Sequence, residues 1–218
     1  LLNKQDNIVC ERFFLPEKND EFLSIESGRP LGDFPLVFFS ISFEHDYVNI
    51  VKSLLLGGIE PFSAKRREQG TDSPVIVFGG VACFMNPEPI APFADLIVVG
   101  EAEPVLDDLV KFLIESHEIK NSENMLVEAS CQMKGIYIPH LYSPQYEEDG
   151  RFMGMMTSFD VPDRIERVSL KECQQAGHSE MLTPAAEFSN LYLTELGRGC
   201  SRGCRFCAAG FIYRPPRL

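Results

Sequence analysis

The sequence predicts an α/β fold, a doubly wound layer on a parallel sheet, from three observations. Pro35–Ser42, Pro74–Gly80 and Asp95–Gly100 are apolar runs of strand length. They are continuous rather than alternating, as in strands covered on both faces. Segments with helical apolar spacing follow the first and third runs, the order expected of helices packed on a parallel sheet. The runs end in small residues, Ser40 and Ser42, Gly79 and Gly80, then Gly100. In open α/β sheets ligands bind outside these carboxyl ends.

Taken in order, Asn7–Phe14 has the Ile, Val and Phe content of a strand. After the Pro35–Ser42 strand, Asp46–Leu56 reads as a helix with Val48, Val51, Leu54 and Leu55 as its apolar positions. Gly57-Gly58 stops it. The strands at Pro74–Gly80 and Asp95–Gly100 come next. Gly79 and Gly80 would let a ligand ring or phosphate approach the backbone closely. Pro104–Ile114 is predicted helical: Pro104 suits the first turn, and Val105, Leu106, Leu109, Val110 and Leu113 form one face. From 119 to 189 the pattern loosens into a connector. Lys134–His140 and Arg151–Met156 read as short strands around a turn at Gln145–Gly150, and a polar linker follows. Leu191–Leu196 reads as a further strand. The expected organisation is 1–118, an α/β domain; 119–189, a connector with a β-hairpin; and 190–218, the start of another domain.

The chain of 218 residues has room for one or two domains and is 44% apolar and 24% charged, ordinary for a globular protein. No apolar run approaches the ~18 residues of a membrane span. With no targeting segment either, the expected location is the cytoplasm and no membrane partner is expected. Net charge is −12, which opposes bulk attraction to nucleic acid. The segment from Leu196 onward is the exception, with Arg198, Arg202, Arg205, Arg214 and Arg217 and no acid. Those arginines suit either the charge of a thiolate-bound cluster or an anionic substrate such as RNA, or form a solvated basic loop.

Chemistry concentrates in Cys200-Ser-Arg-Gly-Cys204-Arg-Phe-Cys207. Three thiols at C-x3-C-x2-C spacing share one loop without a fourth cysteine nearby. A closed zinc site takes four protein ligands, so zinc would need a distant His or Cys to complete it. An iron–sulfur cluster on three thiolates leaves one iron open. Cys10, Cys83, Cys131 and Cys173 are scattered among apolar neighbours and are expected to be small buried hydrophobes. His45 lies near a strand end; His117, His140 and His178 are expected at the surface.

The cysteine loop, with Phe206 as the aromatic residue before its last cysteine, resembles the signature of radical S-adenosylmethionine (radical SAM) enzymes. Leu191–Leu196 and Gly197-Arg-Gly199 leading into it are similar too. More narrowly, Gly203–Pro216 resembles a subgroup that places a cobalamin-binding-like, Rossmann-type domain ahead of the radical SAM α/β barrel. The resemblance implies that Cys200, Cys204 and Cys207 each bind one iron of a [4Fe-4S] cluster, and that S-adenosylmethionine chelates the fourth iron. Cleavage of the sulfonium would yield a 5′-deoxyadenosyl radical, with Phe206 near the adenine. Leu191–Leu196 would be the first barrel strand. An electron-donor protein is an expected partner, and RNA or a small molecule the substrate. Ser42, Gly79 and Gly80 would line a cobalamin-like pocket, and Gly100-Glu-Ala-Glu103 resembles the Gly-Glu-Gly-Glu turn common in cobalamin-domain radical SAM proteins. The cobalt-ligating motif Asp-x-His-x-x-Gly does not occur in the chain. A ligand- or partner-binding α/β module without cobalamin therefore stands beside the cobalamin reading. The chain is expected to be a fragment, with the domain's first strand before Leu1 and the rest of the barrel after Leu218.

Overall fold

The computed structural model describes residues 2–16, 21–69, 73–115, 123–171, 177–179, 182, 184 and 188–217. His117 and Cys173 lie outside the described residues, as does much of the 174–188 linker. The chain divides into two compact units, Leu1–Ser169 and Leu170–Leu218.

The first unit is an α/β layer. Its sheet runs β1 (Leu36–Ser40), β2 (Val75–Gly79), β3 (Leu96–Val98), β4 (Ile136–Tyr137) in spatial order. β1, β2 and β3 are parallel, with Phe38 opposite Val77 and Phe78 opposite Ile97. β4 is antiparallel to β3. Residues Val75–Phe78 and all of β3 are buried, as continuous apolar runs require. β1 departs from that expectation, because it is the edge strand and most of it is only half-buried.

Helix α1 (Asp46–Leu56) has the predicted bounds but turns a different face inward. Ile50, Ser53 and Leu54 are buried, while Val48 and Leu55 are exposed. Gly57 explains the rotation. It continues the Ile50–Ser53–Leu54 line, and a Cβ there would sit 2.8 Å from Leu31 Cβ. Only that face lets the helix end close onto Leu31. Helix α4 (Leu106–Glu115) buries Leu109, Val110 and Leu113, as predicted from spacing.

Among the described residues of this unit, three α-helices were not predicted: α2 (Ser63–Gln69), α3 (Val81–Met85) and α5 (Glu123–Gln132). α2 has no apolar stripe; its inward residues are Ser63 and Arg66, and Arg66 meets Asp95. α5 packs through Met125, Leu126 and Ala129, and β4 follows it into the main sheet. The predicted Lys134–His140 strand is thus part of the central sheet rather than of a hairpin. The hairpin pairs β5 (Tyr142–Tyr146) with β6 (Phe152–Thr157) around the predicted turn.

Asn7–Phe14 is not a strand. Its backbone groups are met by side chains and by isolated main-chain bonds instead of a strand ladder: Asn3 bonds both the N–H and C=O of Cys10, Glu26 accepts the Arg12 N–H, and the Ile25 N–H donates to Arg12 O. Phe13 then packs on Phe22 and Phe34.

In the second unit Leu191–Leu196 makes one isolated bridge, Thr194 to His178, rather than a strand. The Glu195 N–H donates to Gly177 O and the Ser179 N–H to Leu193 O. Leu191, Tyr192, Leu193 and Leu196 are exposed. A short helix, α6 (Ala209–Ile212), follows the cysteine loop.

Candidate functional site

The cysteine loop is framed by backbone contacts within the second unit. Arg198 and Arg217 exchange two backbone hydrogen bonds of 2.8 Å, which close residues 198–217 into a lobe. The Gly199 α-carbon abuts Tyr213 O so closely that a Cβ would overlap it. Inside the lobe, the Cys207 N–H donates to Cys204 O at 3.2 Å, placing these two residues on one turn. The Arg202 N–H points at Cys200 Sγ, 3.4 Å away. The Arg214 guanidinium donates to Arg202 O at 3.0 Å and stacks over Phe211.

Cys200 and Cys207 are half-buried, Cys204 is exposed, and none is in a disulfide. Phe206 is 91% exposed. Among the described residues, no three His, Cys, Asp or Glu side chains converge at metal-binding distance. The loop therefore gathers three free thiols on eight residues without closing them onto one point. The donor chemistry fits an iron–sulfur cluster: soft thiol donors, a backbone N–H aimed at one sulfur, and no carboxylate in the segment.

The other predicted residues sit at the strand ends of the first unit. Ser40 and Ser42 are exposed, as is His45. Gly79 is in ordinary contact range of Val98, 3.8 Å from a would-be Cβ. Gly80 has φ +95°, and a Cβ there would lie 2.5 Å from Ile41 N and O. The close approach at Gly80 is therefore made by the chain's own backbone. Ile41 also donates to Gly79 O and accepts the Ala82 N–H at the start of α3. Gly100, at φ +126°, is likewise filled by Val168. Val168 donates to Val99 O at 3.0 Å and accepts the Glu101 N–H at 2.9 Å. No ligand atom fits where a Cβ would already overlap backbone. The Cβ positions of Gly80 and Gly100 are thus taken by the chain's own backbone, while Gly79 and exposed Ser42 are not covered in this way. The Val168 contact was invisible to sequence reasoning, since nothing in the linker marks a partner for Gly100.

Burial corrects several single-residue expectations. Cys83 is buried as expected, and burial pushes its thiol up to about 12. Cys131 is exposed, its Sγ bonded to Asp160 O, and Cys10 is half-buried. His140 is half-buried rather than a surface residue, and burial lowers its pKa to about 4. An apolar cavity of about 610 Å³ lies along the outer edge of β1, lined by Cys10, Phe13, Phe14, Phe38 and Val110. Its lining does not include Cys200, Cys204 or Cys207, nor the strand-end glycines.

Residues 1–139 match the family described as radical SAM proteins, N-terminal, and the chain belongs to that family. It is 25% identical over 199 residues to the uncharacterized protein MJ0966 of Methanocaldococcus jannaschii, covering 89% of this chain and 34% of that protein. The chain thus spans about a third of the length of the curated relative it matches. No solved structure matches it. No helix among the described residues is long and apolar enough to cross a membrane.

Proposed function

We propose that the chain supplies the N-terminal α/β layer and the cluster-binding loop of a radical SAM enzyme. Cys200, Cys204 and Cys207 would be the protein ligands of a [4Fe-4S] cluster. The observation that carries this reading is the donor set: three unbridged thiols on eight residues, in an acid-free segment that follows a domain of this family. When bound, the cluster and S-adenosylmethionine supply one-electron sulfonium cleavage and hydrogen abstraction.

The chain's residues hold and orient. The Arg202 N–H stabilises the sulfur of Cys200, and such bonds tune cluster potentials. The turn from Cys204 to Cys207 fixes the spacing of the last two ligands. Exposed Phe206 offers an open ring face to adenine. Arg202 and Arg205 offset the negative charge of the thiolates. The electron donor, a substrate such as RNA or a small molecule, and a cytoplasmic location belong to the same proposal.

Metal analysis of the anaerobically reconstituted full-length protein tests it. About four iron and four acid-labile sulfide per chain are expected, both lost in Cys204→Ala. One zinc per chain without iron would instead support the zinc-site reading.

For the α/β layer a second reading is favoured by Ile41 and Val168, which occupy the approach to Gly80 and Gly100. The layer then acts as a scaffold or partner-binding module without cobalamin. Incubation with hydroxocobalamin should leave no colour on the protein after gel filtration; retained colour with a shifted spectrum would restore the cobalamin role of Ser42, Gly79 and Gly80.

A further inference from the structure

We infer that the cavity along the outer edge of β1 is a slot for an extended strand, supplied by the part of the full-length protein that precedes Leu1. Asn7–Phe14 becomes a strand on the far side of that insertion. The sheet then runs Asn7–Phe14, inserted strand, β1, β2, β3, β4. This inference lies wholly within the first unit and is independent of the cluster reading.

Both walls of the slot carry an open peptide edge. On β1, Pro35 O accepts the Val75 N–H at 2.9 Å, and the Ile41 N–H donates to Gly79 O at 2.8 Å. Alternate residues of a strand turn their peptide groups towards the same neighbour. Pro35, Val37, Phe39 and Ile41 therefore serve β2, while Leu36, Phe38 and Ser40 face outward. Across the slot, the peptide groups of Cys10 and Arg12 are taken by Asn3, Glu26 and Ile25. Val9, Glu11 and Phe13 alternate with them. Among the described residues, the peptide groups of these three, and of Leu36 and Phe38, make no protein hydrogen bond. All five residues line the one cavity of about 610 Å³.

Two rows of open N–H and C=O groups around an apolar space define the chemistry of the occupant. A peptide strand fills the space and bonds both rows. An acyl chain or an aromatic ring fills it and leaves both rows unmet. The occupant matches β1 and β2 in length, about five residues, and is apolar on both faces as central strands are. The Ile, Val and Phe content of Asn7–Phe14 is then that of a strand whose neighbour is the inserted segment.

Place and permanence point to the source. Leu2 lines the slot, so chain ahead of it has a direct path in. The relative MJ0966 is matched over only 34% of its length, so it carries chain beyond the matched part. Val9 is 79% and Phe14 64% exposed beside the slot. An open apolar edge of this kind pairs with other chains, and a strand tethered in the same molecule prevents that.

Hydrogen–deuterium exchange of the full-length protein, read residue by residue, is the first test. The amides of Val9, Glu11, Phe13, Leu36 and Phe38 should exchange at least about 100-fold more slowly than in an unfolded chain. Unfolded-chain rates at those five amides, beside a protected Val77 in β2, overturn the proposal. Full-length protein carrying Phe14→p-benzoylphenylalanine, at an exposed position on the slot, then identifies the occupant after irradiation. Mass spectrometry should show crosslinks to residues preceding Leu1 within a monomer. Crosslinks between two copies, to a separate peptide, or only to solvent overturn the assignment.

Discussion

Arg66 and Asp95 form an ion pair sealed from solvent, with Nη2 2.9 Å from Oδ1 and side chains only 0% and 2% exposed. The same guanidinium donates to the carbonyls of Glu60, Pro61 and Phe93, and Asp95 Oδ2 accepts the Ile76 N–H of β2. The pair thus ties α2 to the start of β2 and to the segment entering β3. Removing one partner strands the other charge. Asp95→Ala should cost about 3–5 kcal/mol in urea unfolding. A loss below about 1 kcal/mol would mean that water reaches Arg66.

Gly100 is predicted to be irreplaceable for a different reason. Its φ of +126° disfavours any side chain, and a Cβ would overlap Val168 O. Gly100→Ala should displace the Val168 segment, cost about 2–3 kcal/mol, and expose residues 164–168 to proteases. Unchanged stability and cleavage would show that Val168 is not seated there.

The thiols should separate by reactivity. Cys83 is fully buried with its pKa pushed up to about 12, so it should resist iodoacetamide in the native protein. Cys204 is exposed and should be alkylated readily in the cluster-free protein. Mass spectrometry should show reconstitution protecting Cys200, Cys204 and Cys207 without altering Cys131.

His140 should make stability depend on pH. Burial, with Arg67 adding to it, lowers its folded pKa to about 4, against about 6.5 when unfolded. The unfolded chain therefore binds more protons between these values. Stability is fully present above about pH 6.5 and falls as pH drops towards 4. The residue as a whole is only half-buried, so the His140 contribution should be about 1–2 kcal/mol. Comparing wild type with His140→Gln in urea melts at pH 7 and pH 4.5 isolates it; equal pH dependence in both proteins would contradict the assignment.

The sheet was legible in the sequence because its strands are apolar runs that few other structures explain. Helix α1 was readable to the residue, yet its inward face was not. Val48 and Leu55 look as apolar as Ile50 and Leu54, and only the contact of Gly57 with Leu31 decides between them. Helix α2 was missed because its core residue is an arginine whose partner is 29 positions away. Asn7–Phe14 was misread because strand composition does not show that Asn3 and Glu26 take its backbone groups. Of the site, the thiols were legible from residue type and spacing. What fills the strand ends was not, since Ile41 and Val168 reach Gly80 and Gly100 from distant positions.

The central claim is that Cys200, Cys204 and Cys207 hold an open-iron cluster. Electron paramagnetic resonance of the reconstituted full-length protein after dithionite reduction, with and without S-adenosylmethionine, tests it most directly. The account predicts a [4Fe-4S]+ signal that changes on adding S-adenosylmethionine and disappears in Cys204→Ala. A cluster signal indifferent to S-adenosylmethionine, or one that survives Cys204→Ala, would contradict it.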